Sequence, residues 1–149
     1  MKTLKFNNPI KQELVFDIDS DNILCNNHEK EKICNLCLDK AFIYASKMKH
    51  ELARKFKKIK IVYSGKGFHL HVLDKVAYDL EHAERKKLSS KLRKFPIDPW
   101  VSRGFISLIR MPSSLNALVS RKAVPLSNKD KFDTEKIKFA QTPYFSSRA

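Results

Sequence analysis

A chain of 149 residues that is 42% hydrophobic and 10% aromatic can bury a core as one domain and does not have the composition of a disordered protein. No apolar run approaches 18 residues and no hydrophobic secretory core is present, so we expect a cytosolic protein without a membrane partner. Thirty Lys and Arg against 16 Asp and Glu give a net charge of +14. This excess favours a nucleic-acid or nucleotide partner, although a basic surface alone is not diagnostic.

The N-terminal half is predicted to combine strands with one long helix. Apolar and β-branched residues predict strands at Leu14–Phe16 and Lys60–Tyr63. Between them, apolar residues recur at spacings of three and four, which predicts one amphipathic helix of roughly twenty residues. The residues of this stripe are Leu38, Ala41, Phe42, Ala45, Met48, Leu52 and Phe56. A turn at Ser64–Gly67 then leads into a strand at Phe68–Leu73.

The C-terminal half predicts a second, very basic helix and two more strands. Pro96 ends the helical stripe, whose apolar members are Leu80, Ala83, Leu88, Leu92 and Phe95. Strands are predicted at Phe105–Arg110 and Lys122–Leu126, with a loop at Met111–Ala117 between them. Strands combined with two helices indicate an α+β or α/β sheet protein. No element is predicted in the polar tail 127–149.

The first strand ends in Asp17-Ile18-Asp19, a candidate metal site. Strand side chains alternate with a period of two, so both carboxylates point to one face, roughly 6–7 Å apart. Oxygen ligands at this spacing suit hard divalent cations. The motif is weak by itself, because a solvated strand end running into Ser20-Asp21-Asn22 would have the same sequence.

All three cysteines lie close to one histidine, in the order Cys25, His28, Cys34 and Cys37. Two close pairs of sulfur or nitrogen ligands suit tetrahedral zinc, and four protein ligands leave no open position for catalysis. We therefore predict a structural zinc site in a loop at about 25–37. The alternatives are a site that has lost its metal, or free thiols with His28 at the surface.

The segment from Ser64 to His71 places a glycine-rich turn before two histidines. Glycines let backbone N–H groups approach an anion, and Lys66 adds positive charge beside them. His69 and His71 share a strand face, where a histidine can donate to a phosphate oxygen or ligate a metal. The spacing of a P-loop is absent. A plain hairpin turn beside a satisfied histidine is the alternative.

A third acidic segment begins at Asp98 and leads into a basic, apolar stretch. Asp98 at the mouth of a strand is a candidate third carboxylate for a metal cluster. Arg110 at the end of that strand is a candidate partner for a phosphate. The alternative is that Asp98 is only a turn residue before Pro99, with Arg103 and Arg110 on the solvated surface.

These segments, in this order, resemble the catalytic small subunit of archaeo-eukaryotic DNA primase. The matching motifs are Val15–Asp19, Tyr63–His69, Asp98–Asn116 and Ala123–Leu126, with a zinc-binding cluster between the first two. The resemblance spans about Gln12 to Thr142. It implies a single catalytic domain over 1–149, with an α+β fold in which helices flank a mixed β-sheet.

The resemblance also implies a DNA-dependent primase: a nucleotidyl transferase that makes or extends short primers for DNA replication on a DNA template. Asp17, Asp19 and Asp98 would hold two Mg²⁺ or Mn²⁺ ions. The triphosphate of the incoming nucleoside triphosphate would be bound by Ser64, Lys66, His69 and Arg110, with Arg103 and Asn116 as further candidates. The basic runs Lys55–Lys60 and Arg85–Lys94 would hold the template backbone, unless they are simply solvated.

The chain departs from the family pattern at several positions. His28 replaces a usual cysteine, the glycine turn is one residue shorter, and Asn116 stands where a histidine is usual. The insertion common between His69 and Asp98 is absent. The chain therefore resembles a minimal core, one half of a fused or heterodimeric primase whose large subunit supplies an iron-sulphur domain. We expect it to extend primers better than it starts them. A repair- or plasmid-type primase-polymerase and an inactive nucleic-acid-binding module are the alternatives.

Overall fold

A computed structural model of the chain describes residues 11–25, 34–102 and 109–127. Within these ranges no helix is both long and apolar enough to cross a membrane. In chain order the elements are β1 (Leu14–Asp19), a 3₁₀ turn (Ser20–Asn22), α1 (Asn35–Leu52), β2 (Ile59–Tyr63), β3 (Gly67–Val72), α2 (Lys75–Tyr78), α3 (His82–Lys91), α4 (Pro99–Ser102), β4 (Leu115–Asn116), β5 (Arg121–Lys122) and β6 (Val124–Leu126).

The main sheet has four strands in the order β1-β3-β2-β6. Helices and sheet together confirm the α+β class. The expected mixed sheet is not found among the described strands, because every described pair is antiparallel. The reason is local: β2 and β3 are joined by a tight turn, and such a hairpin can only be antiparallel. Pro125 lies in β6 at the edge of this sheet, where a missing N–H costs little.

The two faces of this sheet differ in chemistry, because one is apolar and the other carries polar and titratable side chains beside the buried Val15 and Val62. One face carries the apolar side chains of each strand, among them Phe16, Ile18, Phe68, Leu70 and Tyr63, all of which are buried. The other face carries the alternate residues of the same strands, which include Asp17, Asp19, His69, His71 and Lys60. This alternation follows from the period of two. We call the second one the open face.

Helix α1 covers the apolar face. Its residues Leu38, Ala41, Ala45, Met48 and Leu52 are buried at spacings of three and four, as the sequence predicts. The helix ends at Leu52, and the chain continues through a turn that still buries Phe56. Lys49 and His50 in the last turn complement the negative end of the helix dipole.

The turn between β2 and β3 depends on two glycines. Gly65 has a φ of +96°, a left-handed conformation that residues with a side chain rarely adopt. A Cβ atom on Gly67 would lie 2.2 Å from the carbonyl oxygen of Ile18 and 2.8 Å from the Cα of Asp19. Gly67 is therefore what allows β3 to approach the end of β1, where the two aspartates lie.

The predicted stripe of the second helix is only partly correct. Leu92 and Phe95 are buried, but Ala83 is exposed, and α3 instead buries Arg85 and Ser89. The Arg85 guanidinium donates hydrogen bonds to the carbonyl oxygens of Gln12, Glu13, Ala77 and Leu80. These bonds fasten α2 and α3 to the start of β1. Arg85 is thus a structural residue, which removes it from the predicted template-binding run.

The predicted last strand is divided at Ala123. Its backbone N–H donates to Ser114 and its carbonyl oxygen accepts from Ser113, both at 2.8 Å. At this residue the chain passes from β5, which pairs with β4 in a small hairpin, to β6 of the main sheet. The predicted loop at Met111–Ala117 contains β4. Most of the predicted strand Phe105–Arg110 lies outside the described residues, and Ile109 and Arg110 belong to no strand.

Candidate functional site

Three carboxyl groups lie near one another at the end of β1. Asp17 and Asp19 lie on the open face, as the alternation of side chains predicts. The backbone N–H of Asp98 donates to the carbonyl oxygen of Asp17 at 2.9 Å, on the edge of β1 that faces away from β3. This one bond brings a residue 81 positions away along the chain beside the first two aspartates. The oxygen Oδ1 of Asp98 accepts from the N–H of Trp100 at 2.8 Å.

The clustering of like charges disturbs the protonation of Asp17. Burial, followed by the nearby charges of Asp19 and Asp98, raises its pKa to about 7. Burial also raises the pKa of Asp19, although the cations of Lys66 and Arg110 act in the opposite direction. Within the described chain, the buried Oδ1 of Asp17 has no hydrogen-bond partner. The site therefore concentrates carboxyl groups whose charge Lys66 and Arg110 only partly offset.

His69 lies directly opposite Asp17 on β3, with its Nε2 3.5 Å from Oδ1 of Asp17. This distance is longer than a hydrogen bond. The two groups do not form an ion pair, because burial, with the neighbouring His71 and Arg110, lowers the pKa of His69 to about 3. His69 is thus a neutral imidazole that can accept or donate one hydrogen bond at the centre of the open face.

The glycine turn is fixed by its own hydrogen bonds and by the 3₁₀ turn after β1. Ser64 Oγ accepts from the N–H of Gly67 at 3.1 Å, so this hydroxyl stabilises the turn. The carbonyl oxygen of Lys66 accepts from the N–H of Ser20 at 3.1 Å. The Lys66 ammonium forms a salt bridge with Asp21. Lys66 therefore lies between two carboxylates, those of Asp19 and Asp21.

Asn116 holds the same turn from the other side. Its Nδ2 donates to the carbonyl oxygen of Ser64 at 3.0 Å, and its side chain lies against Gly65. The carbonyl oxygen of Gly65 accepts from the hydroxyl of Tyr63 at 2.7 Å, and Arg121 donates to that hydroxyl at 2.8 Å. The position at which the sequence predicts a nucleotide contact is thus occupied by a residue that shapes the turn.

Arg110 lies close enough to His69 and Asp19 to lower the pKa of both. Its guanidinium donates to the carbonyl oxygen of Leu115 at 2.8 Å, which leaves further donors on the same group. A cavity of about 340 Å³ lies on the open face beside Arg110 and is also lined by His71, Lys60 and Glu13. His71 Nδ1 is 2.9 Å from the carboxylate of Glu13.

The three cysteines form a separate cluster. The Sγ atoms of Cys25, Cys34 and Cys37 all lie within 4.8 Å of one another, and those of Cys25 and Cys34 are 3.9 Å apart. Sulfur atoms that share a tetrahedral zinc with bonds of about 2.3 Å are about 3.8 Å apart. The cluster could thus hold a metal ion with little rearrangement. Among the described residues, this is the only group of three or more potential ligand residues whose ligand atoms all lie so close together, and the three carboxylates are more widely spaced.

Two candidate residues, His28 and Arg103, lie outside the described ranges. Conversely, the structure adds Asp21 and Glu13 to the residues that surround the open face, and Arg121 to those that hold the glycine turn. Asp21 could have been suspected from the sequence, because it continues the alternating series of Asp17 and Asp19. Arg121 had no such signal, because its partner Tyr63 is 58 positions away.

Comparison with known proteins identifies the relatives of this chain. The sequence pattern of the DNA primase small subunit family matches residues 16–96, which is more than half of the 149 residues. A protein of Archaeoglobus fulgidus described as an uncharacterized DNA primase small subunit-like protein is 39% identical over 130 residues, covering 80% of this chain and 46% of that protein.

Two further relatives carry the name DNA primase small subunit PriS. That of Pyrococcus abyssi is 38% identical over 84 residues, and that of Thermococcus sibiricus is 39% identical over 82 residues. Each alignment covers 52% of this chain and 24% of the relative. The chain thus spans about half the length of the first relative and about a quarter of the other two.

Proposed function

Because this chain belongs to the DNA primase small subunit family, we propose that it is a catalytic core for template-directed nucleotidyl transfer. In this reaction the 3′-hydroxyl of a primer attacks the α-phosphorus of a nucleoside triphosphate, and pyrophosphate leaves. The proximity of three carboxyl groups at the end of β1 is the observation that supports this proposal most directly. No similar concentration of half-buried acids is needed for a module that only binds nucleic acid.

We assign the catalytic metal ions to Asp17, Asp19 and Asp98. The residues fit Mg²⁺ or Mn²⁺ because they offer oxygen ligands and because Oδ1 of Asp17 is buried without a partner among the described residues. Burial, together with the charges of Asp19 and Asp98, also raises the pKa of Asp17. Metal ions there would stabilise charge at the reacting phosphate and favour the deprotonated hydroxyl. The carboxylates fix where that positive charge lies, and Asp98 is held in place by its backbone bond to Asp17.

We assign the triphosphate to the region between the glycine turn and Arg110. The Arg110 guanidinium lies close enough to Asp19 to lower its pKa, and His69 is an uncharged imidazole beside Asp17. The Lys66 ammonium can bind a phosphate only if it contacts Asp21 and the phosphate together, or if its salt bridge with Asp21 breaks. Ser64 and Asn116 shape the turn whose backbone N–H groups would approach the phosphates. Arg103 remains a candidate from the sequence alone.

We assign a structural zinc ion to Cys25, Cys34 and Cys37, with His28 as the fourth ligand. Burial raises the pKa of the Cys37 thiol to about 12, so its proton must leave when metal binds. Cys37 lies in the first turn of α1, and the metal would therefore join the loop after β1 to the helix that covers the sheet. Metal analysis of the purified chain tests this assignment. We expect one zinc ion per chain in the wild type and no zinc in a Cys25→Ser, Cys34→Ser variant.

The template and a large subunit are the proposed macromolecular partners. The net charge of +14 attracts a polyanion, and the exposed lysines between α1 and β2 lie on backbone that Asp74 fixes through the N–H groups of Lys57 and Lys58. The large subunit, supplying an iron-sulphur domain, is proposed only from family membership. On this view the isolated chain extends primers better than it starts them.

Primer extension tests the proposed function. The full chain is incubated with a primed DNA template, Mn²⁺ and nucleoside triphosphates, and compared with an Asp17→Asn, Asp19→Asn variant. These substitutions keep the shape of both side chains and remove their charge. We expect the variant to lose at least about 10³-fold in rate, since removal of a metal ligand or a preorganised charge typically costs a few kcal/mol.

The matched control is Asp39→Asn, which removes an exposed carboxylate from α1 and should leave the rate unchanged. Circular dichroism shows whether each variant is folded. Equal extension by the wild type and the double variant would mean that the carboxylates do not catalyse the reaction. A wild type that binds primed DNA but extends nothing would instead identify the chain as an inactive nucleic-acid-binding module.

A further inference from the structure

The only tryptophan of the chain stands exposed beside the carboxylates. Trp100 is 70% exposed, although tryptophan is among the side chains that gain most from burial. Its backbone N–H donates to Oδ1 of Asp98, so the residue cannot move independently of the third carboxylate. An exposed aromatic side chain held this close to a charged site requires an explanation other than the stability of the core.

The surroundings of Trp100 are basic. The short helix α4, which contains Trp100, contacts β1 on one side and α3 on the other. Helix α3 exposes the cations of Lys86, Lys87 and Lys91, while its one buried cation, Arg85, faces inwards. The path from α3 across α4 to the end of β1 therefore passes from exposed lysines to an aromatic ring and then to the carboxylates.

We propose that Trp100 is a stacking platform for a nucleobase of a single DNA strand, and that the lysines of α3 bind the phosphates of the same strand. A groove that binds single strands without reading their sequence combines these two components, positive charge along the backbone and aromatic rings for the bases. The inference rests on the proposed function, because the strand would be the template that leads to the carboxylates.

The single tryptophan makes the proposal directly measurable. Fluorescence excited at the long-wavelength edge of tryptophan absorption, where tyrosine absorbs very little, reports on Trp100 alone. The probes are a thymidine oligomer of about 12 nucleotides and an abasic oligomer of the same length, which carries the same phosphates without bases. We expect the thymidine oligomer to quench the fluorescence and to bind about 5- to 100-fold more tightly than the abasic one, the range to which stacking energies correspond.

Trp100→Leu keeps an apolar side chain but removes the stacking surface. It should reduce the preference for the thymidine oligomer to less than about twofold, as measured by fluorescence anisotropy of labelled oligomers. Trp100→Phe should retain most of the preference. The matched control is Val76→Ala, another exposed apolar residue, located on α2. A Lys86→Gln, Lys87→Gln variant should weaken both oligomers equally and lower the salt dependence of binding.

Several results would overturn the inference. Unchanged fluorescence at saturating thymidine oligomer would mean that no base contacts Trp100. If Trp100→Leu keeps the preference for the thymidine oligomer over the abasic one, the bases contact a part of the protein other than Trp100. Quenching by a free nucleoside triphosphate but not by the oligomer would assign Trp100 to the incoming nucleotide. These measurements need no catalysis, so failure of primer extension would remove the proposed function while leaving the stacking result to be judged by itself.

Discussion

The two faces of the main sheet are built from neighbouring residues of the same strands, yet their side chains are expected to affect the stability of the protein in opposite directions. On β1, Phe16 and Ile18 are completely buried under α1 and stabilise the fold by removing apolar surface from water. Asp17 and Asp19, one residue away from them, bring like charges together and partly bury them. We therefore expect the apolar face to stabilise the protein and the partly buried carboxyl groups of the open face to destabilise it.

The largest expected effect comes from breaking the apolar face. Phe16→Ala removes a fully buried aromatic ring from the centre of the sheet and should lower the free energy of unfolding by about 3–5 kcal/mol. Urea denaturation followed by circular dichroism measures the change. Lys60→Ala, an exposed position on the open face, is the control and should change the stability by less than about 0.5 kcal/mol. A similar loss for both variants would contradict the distinction between the faces.

A substitution on the open face should have the opposite sign. The pKa of Asp17 is raised from 3.8 to about 7, so the folded protein keeps a proton that the unfolded chain has lost. Stability should therefore be highest below about pH 4 for this group and fall as the pH rises to about 7. Asp17→Asn should remove this fall and stabilise the protein at pH 8 by about 2–4 kcal/mol in buffer free of Mg²⁺ and Mn²⁺.

Thermal unfolding of wild type and Asp17→Asn across pH 4–8 checks this expectation. Asp39→Asn again serves as the control, and its curve should follow that of the wild type. If Asp17→Asn destabilises the protein at pH 8, then the carboxylate makes a favourable interaction there and the open face is not under electrostatic strain.

The smallest expected effect concerns the turn between β2 and β3. Asn116→Ala removes the donor to the carbonyl oxygen of Ser64, which should cost about 1 kcal/mol of stability. The loss is limited because Oδ1 of Asn116 is itself buried without a partner in the described chain. Loosening the turn should also raise KM for the nucleotide in primer extension with little change in kcat. A fall in kcat with unchanged KM would place Asn116 at the reacting atoms instead.

Local patterns predicted the parts of this fold that depend on near neighbours in the sequence. The period of two placed Asp17 and Asp19 on one face, and the helical stripe from Leu38 to Leu52 is buried as predicted. The clustering of Cys25, Cys34 and Cys37 follows from spacings of nine and three residues. Each of these predictions needs only the geometry of one strand, one helix or one loop.

The remaining features depend on contacts between distant segments. One backbone hydrogen bond joins Asp98 to Asp17. Because this bond involves no side chain, no pattern of residue types in the sequence indicates it. Arg85 was assigned to a basic surface because its charge looks exposed in sequence, whereas four backbone carbonyl groups satisfy it in the interior. The pairing of Lys66 with Asp21 likewise depends on the approach of two turns 45 residues apart.

Binding of Mn²⁺ to the full chain tests the central claim, that the open face of the sheet is a metal site, most directly. Electron paramagnetic resonance of free Mn²⁺ during titration gives the number of sites and their affinity, independently of primer or nucleotide. We expect saturable binding by the wild type and by Asp39→Asn, and a loss of at least about tenfold in affinity in the folded Asp17→Asn, Asp19→Asn variant. Equal Mn²⁺ binding by all three proteins would contradict the central claim.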